Sequence, residues 1–149
     1  VNLSLLLDMQ RQYLSQLLAL LQEEQECLVQ GQVDALHLVQ LTDAKSSLQQ
    51  ALAKAESRRH QTQCQLNYSD DDHGALQIAR DNGCEPIWLS IRQIAQEISR
   101  ANRRNGELLQ LRMDHNQHML DHLHRIAAAN VYHANGRAPL QSPRLDVSA

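Results

Sequence analysis

Between residues 3 and 30 leucines recur at alternating three- and four-residue steps, at Leu3, Leu6, Leu7, Leu14, Leu17, Leu21 and Leu28. That period puts them on one face of a helix. Asn2 or Ser4 stands where a cap is needed, and Gly31 is a natural stop. A second run over 33–66 keeps the same period through Leu38, Leu41, Leu48, Leu52, Ala55 and Leu66, with Lys45, Arg59 and Thr62 interrupting it. Only Gly31 and Gln32 separate the two runs. So short a break joins neighbouring helices, which predicts an antiparallel hairpin.

Over 67–85 the pattern changes to turn formers: Asn67, Ser69, Asp70, Asp71, Asp72 and Gly74, then Asn82-Gly83. Ala75 to Asp81 is a candidate short helix between them, with Asp72 as its cap. Pro86 then occupies what should be a first helical position. Ile87, Ile91, Ile94 and Ile98 open a third stripe that runs on through Ala101, Asn105, Leu108, Leu109, Met113, Met119, Leu120, Leu123 and Ile126 and fades near Asn130. The remainder, 131–149, holds Gly136, Pro139 and Pro143 without periodicity and is expected to be a flexible tail. The fold class is therefore all-α: three long helices (about 3–30, 33–66 and 86–130) in an antiparallel bundle or coiled-coil arrangement. A short helix or loop lies in the connection, and residues 1–130 form a single domain.

At 1.5 Å per residue the helices would be roughly 42, 51 and 67 Å long. If all three start near one end, the last part of the third has no full-length partner, yet its apolar stripe continues. Such a face must be covered by the tail, by a second copy or by another protein.

Composition agrees with helices. The chain has 149 residues, 42% of them hydrophobic, with 25 Leu and 19 Gln but no Phe and only 3% aromatic residues. Strands would want the β-branched and aromatic residues that are scarce here. The net charge of −3 and a pI of about 6.2 give no general attraction to phosphate, so no nucleic-acid partner is expected. The longest Leu/Ala run, Leu17 to Leu21, is far too short to insert in a membrane. No basic-then-apolar signal segment opens the chain. Cys27, Cys64 and Cys84 are odd in number and widely spaced, which predicts neither a disulfide framework nor a Cys-x-x-Cys pair and suits a reducing cytoplasm.

Chemical motifs are few. Asp114, His115, His118, Asp121, His122 and His124 cluster on the third helix, but they flank the apolar stripe and contain no His-Glu-x-x-His pattern, so a polar bundle edge explains them better than a metal. Asp70-Asp71-Asp72-His73-Gly74 fails the spacing of a calcium loop and reads as a solvated turn and helix cap. Arg100, Arg103, Arg104 and Arg112, like Arg58-Arg59-His60, read as solvated faces. No phosphate loop or nucleophile elbow is present, so an enzyme, a cofactor and a metal are not expected.

Two segments carry a resemblance. Asn102-Arg103-Arg104-Asn105-Gly106-Glu107-Leu108-Leu109-Gln110-Leu111-Arg112 is similar to the Asn-x-x-Asn-rich segment of the FlgN-like flagellar export chaperones. Val131-Tyr132-His133-Ala134-Asn135-Gly136-Arg137 looks like the Tyr-x-x-x-Gly-Arg element that follows the last helix in that family. The order of a Leu-rich hairpin, a variable middle and one long C-terminal helix is similar over nearly the whole chain. The His-rich face departs from the family, where aliphatic and small residues would be expected.

The resemblance implies a cytoplasmic type III export chaperone. Its partners would be hook-associated, filament-junction proteins of the FlgK and FlgL type, held by their C-terminal segments before secretion, with the flagellar export ATPase or gate as a further contact. Family members engage clients through their own C-terminal part. Combined with the uncovered stripe, this assigns client contact to Met113, Met119, Leu120, Leu123, Ile126, Ala127, Val131 and Tyr132. Asn102, Asn105, Gly106, Tyr132, Gly136 and Arg137 carry the family motifs, with Asn102 and Asn105 expected to fix helix register or a kink rather than touch the client. Monomer and homodimer both remain open. The alternative is a homodimeric coiled-coil adaptor or structural protein with no export role.

Overall fold

The structure, a computed structural model, describes residues 2–135, with side chains through residue 129. Four helices follow one another: α1 (Leu3–Val29), α2 (Ala35–Gln65), α3 (Asp72–Asp81) and α4 (Glu85–Asn135). The chain divides into two compact units, residues 1–108 and 109–149.

Local chemistry sets the helix starts. Asn2 Oδ1 accepts from the Ser4 N–H at 3.0 Å, and Asp34 Oδ1 accepts from the His37 N–H at 3.1 Å. Each satisfies an amide that the helix itself leaves unpaired. α3 starts at Asp72, three residues earlier than its apolar pattern suggests, and its cap is Asp71 rather than Asp72. The Asp71 carboxylate accepts from the Gly74 N–H at 2.8 Å and from the Ser69 hydroxyl at 2.8 Å. Those donors, Gly74 first, hold its carboxyl below the ordinary value. A lowered folded pKa means that the cap stabilises fully above the unfolded carboxyl's pKa, and that this contribution disappears as pH falls through the folded one.

The first unit is an all-α bundle. α1 and α2 form the hairpin, closed near its tip by Lys45 Nζ and Glu24 Oε2 at 2.6 Å. At the other end of α2 the Arg59 guanidinium lies 4.9 Å over the ring of Trp88, near the start of α4. Asn105, further along α4, reaches the Leu21 carbonyl near the end of α1. α4 therefore runs antiparallel to α2 and alongside α1 in the same direction. The core between them is mainly aliphatic: Leu3, Leu7, Leu14, Leu17 and Leu21 of α1 meet Ala75, Ile78 and Ala79 of α3 and Trp88, Ile91, Ile98 and Ala101 of α4.

α2 contributes less than its pattern promises. Leu41 and Ala55 are buried, Leu48 and Leu52 pack half-buried against the core, and Leu66 is 55% exposed. Leu66 falls past the last turn of the helix, where it serves as the C-cap. In its place Gln63 is buried, because its amide is the clasp of the following turn: Nε2 donates to the carbonyls of Ser69 (2.5 Å) and Asp71 (3.2 Å), and Oε1 accepts from Arg59 at 3.1 Å. Asn67 reverses the chain there in the left-handed region, φ 63°, which asparagine tolerates. Gly74 completes the close approach, since a Cβ at that position would lie 1.9 Å from the Ser69 carbonyl oxygen.

α4 begins at Glu85 with the Cys84 carbonyl accepting from the Trp88 N–H, so Pro86 is its second residue rather than its first. It continues through Asn135, five residues beyond the fading point expected at Asn130. Val131–Asn135 are therefore helical and not tail. The rest of the expected tail, 136–149, lies outside the described residues.

Candidate functional site

Near the end of the first unit three helices are tied by one polar group. The Asn105 amide nitrogen donates to the Leu21 carbonyl at 2.8 Å and to Glu24 Oε1 at 2.9 Å, while the other oxygen of Glu24 takes Lys45 at 2.6 Å. Asn105 is 4% exposed. A buried amide bonded in this way fixes the register of α4 against α1, since a shift along the helix would leave the NH2 group of Asn105 buried without an acceptor. Of the motif residues, Asn105 thus has the register geometry, whereas Asn102 and Gly106 face solvent. Lys45, which interrupts the apolar stripe of α2, is there to meet Glu24. Arg59 interrupts it to cover Trp88.

The second unit has a different character. Among residues 109–129 none is buried. Leu109, Met113, Met119, Leu123 and Ile126 are between 44% and 55% exposed, Leu120 is half-buried and Ala127 is exposed. At 3.6 residues per turn, Leu109, Met113, Leu120, Leu123 and Ala127 share one face, with Met119 and Ile126 at its edge. Leu111 lies on the far side. Val131 and Tyr132 belong to the last turns of α4, but their side chains are outside the described set, as are Gly136 and Arg137 entirely.

The other side of this stretch is polar and internally bonded. Gln110 donates to Asp114 at 3.0 Å and Gln117 to Asp121 at 3.1 Å, two pairs at the i, i+4 spacing that steadies a solvated helix by about 0.2–0.5 kcal/mol each. His115, His118 and His122 are exposed, His115 beside the edge of the stripe at Ile126 and Met119, and His124 is half-buried. Among the described residues, the group of three that could hold a metal is not in this histidine cluster; it is His60, Cys64 and Asp70. Arg100, Arg103 and Arg104 are exposed and line a groove of the first unit with Leu18, Gln22 and Glu97.

Sequence reasoning missed the Glu24–Lys45 pair, the Arg59–Trp88 contact and the Gln–Asp pairs of α4. Spacing of four between Gln and Asp was legible as a signal for the last; the first two join residues from different helices and left none.

No helix among the described residues is long and apolar enough to cross a membrane. An apolar helical face open to solvent, steadied from behind by polar pairs, can bind by burying surface. The class is that of an all-α helical protein with an apolar face left uncovered on the last part of its longest helix.

Comparison with known proteins agrees. The FlgN protein family model matches residues 2–139. The flagella synthesis protein FlgN of Salmonella typhimurium is 30% identical over 136 residues, which cover 91% of this chain and 89% of that protein. The proteins of the same name from Escherichia coli (27% over 136 residues, 91% and 89% covered) and Yersinia enterocolitica (27% over 132 residues, 89% and 86% covered) are similar at the same level. No solved structure matches significantly. The chain belongs to the FlgN family of flagellar export chaperones, which hold other proteins and are not enzymes.

Proposed function

We propose that this chaperone works in the cytoplasm, where it holds hook-associated proteins of the FlgK and FlgL type by their C-terminal segments until the flagellar type III apparatus exports them. The observation that carries this reading is the run of exposed apolar residues on α4, from Leu109 to Ile126. The client contact comprises Met113, Met119, Leu120, Leu123, Ile126 and Ala127, with Val131 and Tyr132 continuing it.

The mechanism needs no bond chemistry. A client's terminal segment that is amphipathic and unfolded before assembly would associate prematurely through its apolar face. Docking that face on the α4 stripe as a second helix hides it. Ordering the segment consumes part of the interaction energy, which keeps affinity moderate and release feasible. Met113 and Met119 suit such a surface, because an unbranched thioether chain repacks against different neighbours.

The test is capture of hook-associated proteins by the full chain and by the double variant Leu120→Asp, Leu123→Asp. The variant should lose capture while keeping helicity and the unfolding midpoint. Capture unchanged in the variant removes the site; no capture by the folded parent chain removes the chaperone reading. A parent dimer that the same double substitution dissociates, with capture intact, would favour the homodimeric adaptor.

A further inference from the structure

We propose that His60, Cys64 and Asp70 form a binding site for a divalent transition-metal ion of the zinc class, separate from the client face. His60 and Cys64 are four apart on α2, so the helix presents them side by side. Cys64 Sγ lies 3.7 Å from His60 Nε2. Two donors bound to one tetrahedral zinc, a thiolate at about 2.3 Å and an imidazole at about 2.05 Å, sit roughly 3.6 Å apart. The spacing already fits the ion.

Asp70 completes the arrangement from the turn that follows. Its Oδ1 is 3.1 Å from His60 Nδ1. Accepting from Nδ1–H, the carboxylate fixes the ring in the tautomer that leaves the Nε2 lone pair facing Cys64, which is how carboxylates support metal-bound histidines. One donor atom from each of the three residues lies within 4.8 Å of the others. Asp70 is held there by the fold: Gln63 bonds the carbonyls of both Ser69 and Asp71, its chain neighbours, and so folds this segment back over the last turns of α2.

The donors select the ion. Calcium and magnesium want oxygen ligands throughout, whereas thiolate with imidazole suits zinc, with water in the remaining positions. All three residues are exposed, so the ion enters from solvent without opening the bundle. Binding releases the Cys64 proton and leaves a thiolate on the metal. The bound ion would clip the connection to the end of α2.

Cobalt(II) is the probe, titrated into the full chain kept reduced by a phosphine. The expected result is a sulfur-to-cobalt charge-transfer band that saturates at one equivalent and is bleached by zinc. Cys64→Ser should abolish the band, His60→Ala should weaken binding at least tenfold, and Asp70→Asn should weaken it about tenfold. Cys27→Ser and Cys84→Ser should leave it intact, since both thiols are buried. The histidines of α4 can take cobalt but give no thiolate band. Circular dichroism confirms that each variant is folded. A folded parent chain with no thiolate band at about a tenfold excess of cobalt, a band that survives Cys64→Ser, or binding unaffected by His60→Ala would each overturn the site.

Discussion

The two stretches of α4, residues 85–108 and 109–129, carry one continuous apolar stripe and meet opposite fates. In the first, Trp88, Ile91, Ile98 and Ala101 are between 2% and 8% exposed; in the second, Met113, Met119, Leu123 and Ile126 are between 44% and 55% exposed. The residue types differ too. Isoleucine, stiff at its first side-chain torsion, dominates the stretch that packs in a fixed core, while methionine and leucine dominate the open one. A stripe therefore announces a face to be covered, and its side chains hint at whether the cover is permanent.

Cutting the same amount of side chain from each stretch should cost very different amounts of stability. Ile91→Ala should lower stability to chemical denaturation by about 2–5 kcal/mol, the usual cost of a core truncation. Asn105→Ala should come next, at about 1–3 kcal/mol, because the Leu21 carbonyl and one oxygen of Glu24 lose their shared donor. Leu123→Ala, in contrast, should stay within about 0.5 kcal/mol, as exposed positions do. Equal losses for Ile91→Ala and Leu123→Ala would mean that the second stretch is packed after all. Hydrogen exchange sharpens the contrast further. Amides of 91–105 should open only with the whole first unit, while those of 109–129 should exchange by local fraying. Smallest of all, Gln117→Met, which keeps nearly the same helix propensity, should reduce helicity of the second stretch slightly, in line with one lost i, i+4 pair.

Much of the fold was legible because helix formation is local. The stripes marked three long helices, Asn2 stood with Ser4 as a candidate start of the first, and the turn formers between 67 and 85 located the connection. Misplacements occurred where a side chain answers to something distant. Leu66 keeps the period of α2 but falls beyond its end, and buried Gln63 takes that region instead, for a turn six to eight residues ahead. Lys45 and Arg59 break the stripe of α2 and read as interruptions, yet each has its partner on another helix. The end of α4 was set too early because Val131–Asn135 add little to the stripe, although nothing among them stops a helix.

The candidate client residues were nameable from the period and the family resemblance. The His60–Cys64–Asp70 group was not, even though the four-residue spacing of the first two was visible. Asp70 joins them only once the chain reverses at Asn67.

Residue type and spacing along the chain set the helical class and the face each helix presents, while likeness to known sequences carried the FlgN family. Tertiary structure alone decided which part of the α4 stripe is covered, how α4 is registered against α1, and which thiol meets an imidazole and a carboxylate. The reason is range. A helical period repeats every 3.6 residues, whereas the Asn105–Leu21 bond that sets the register spans 84 positions, and no local pattern records a partner so far away.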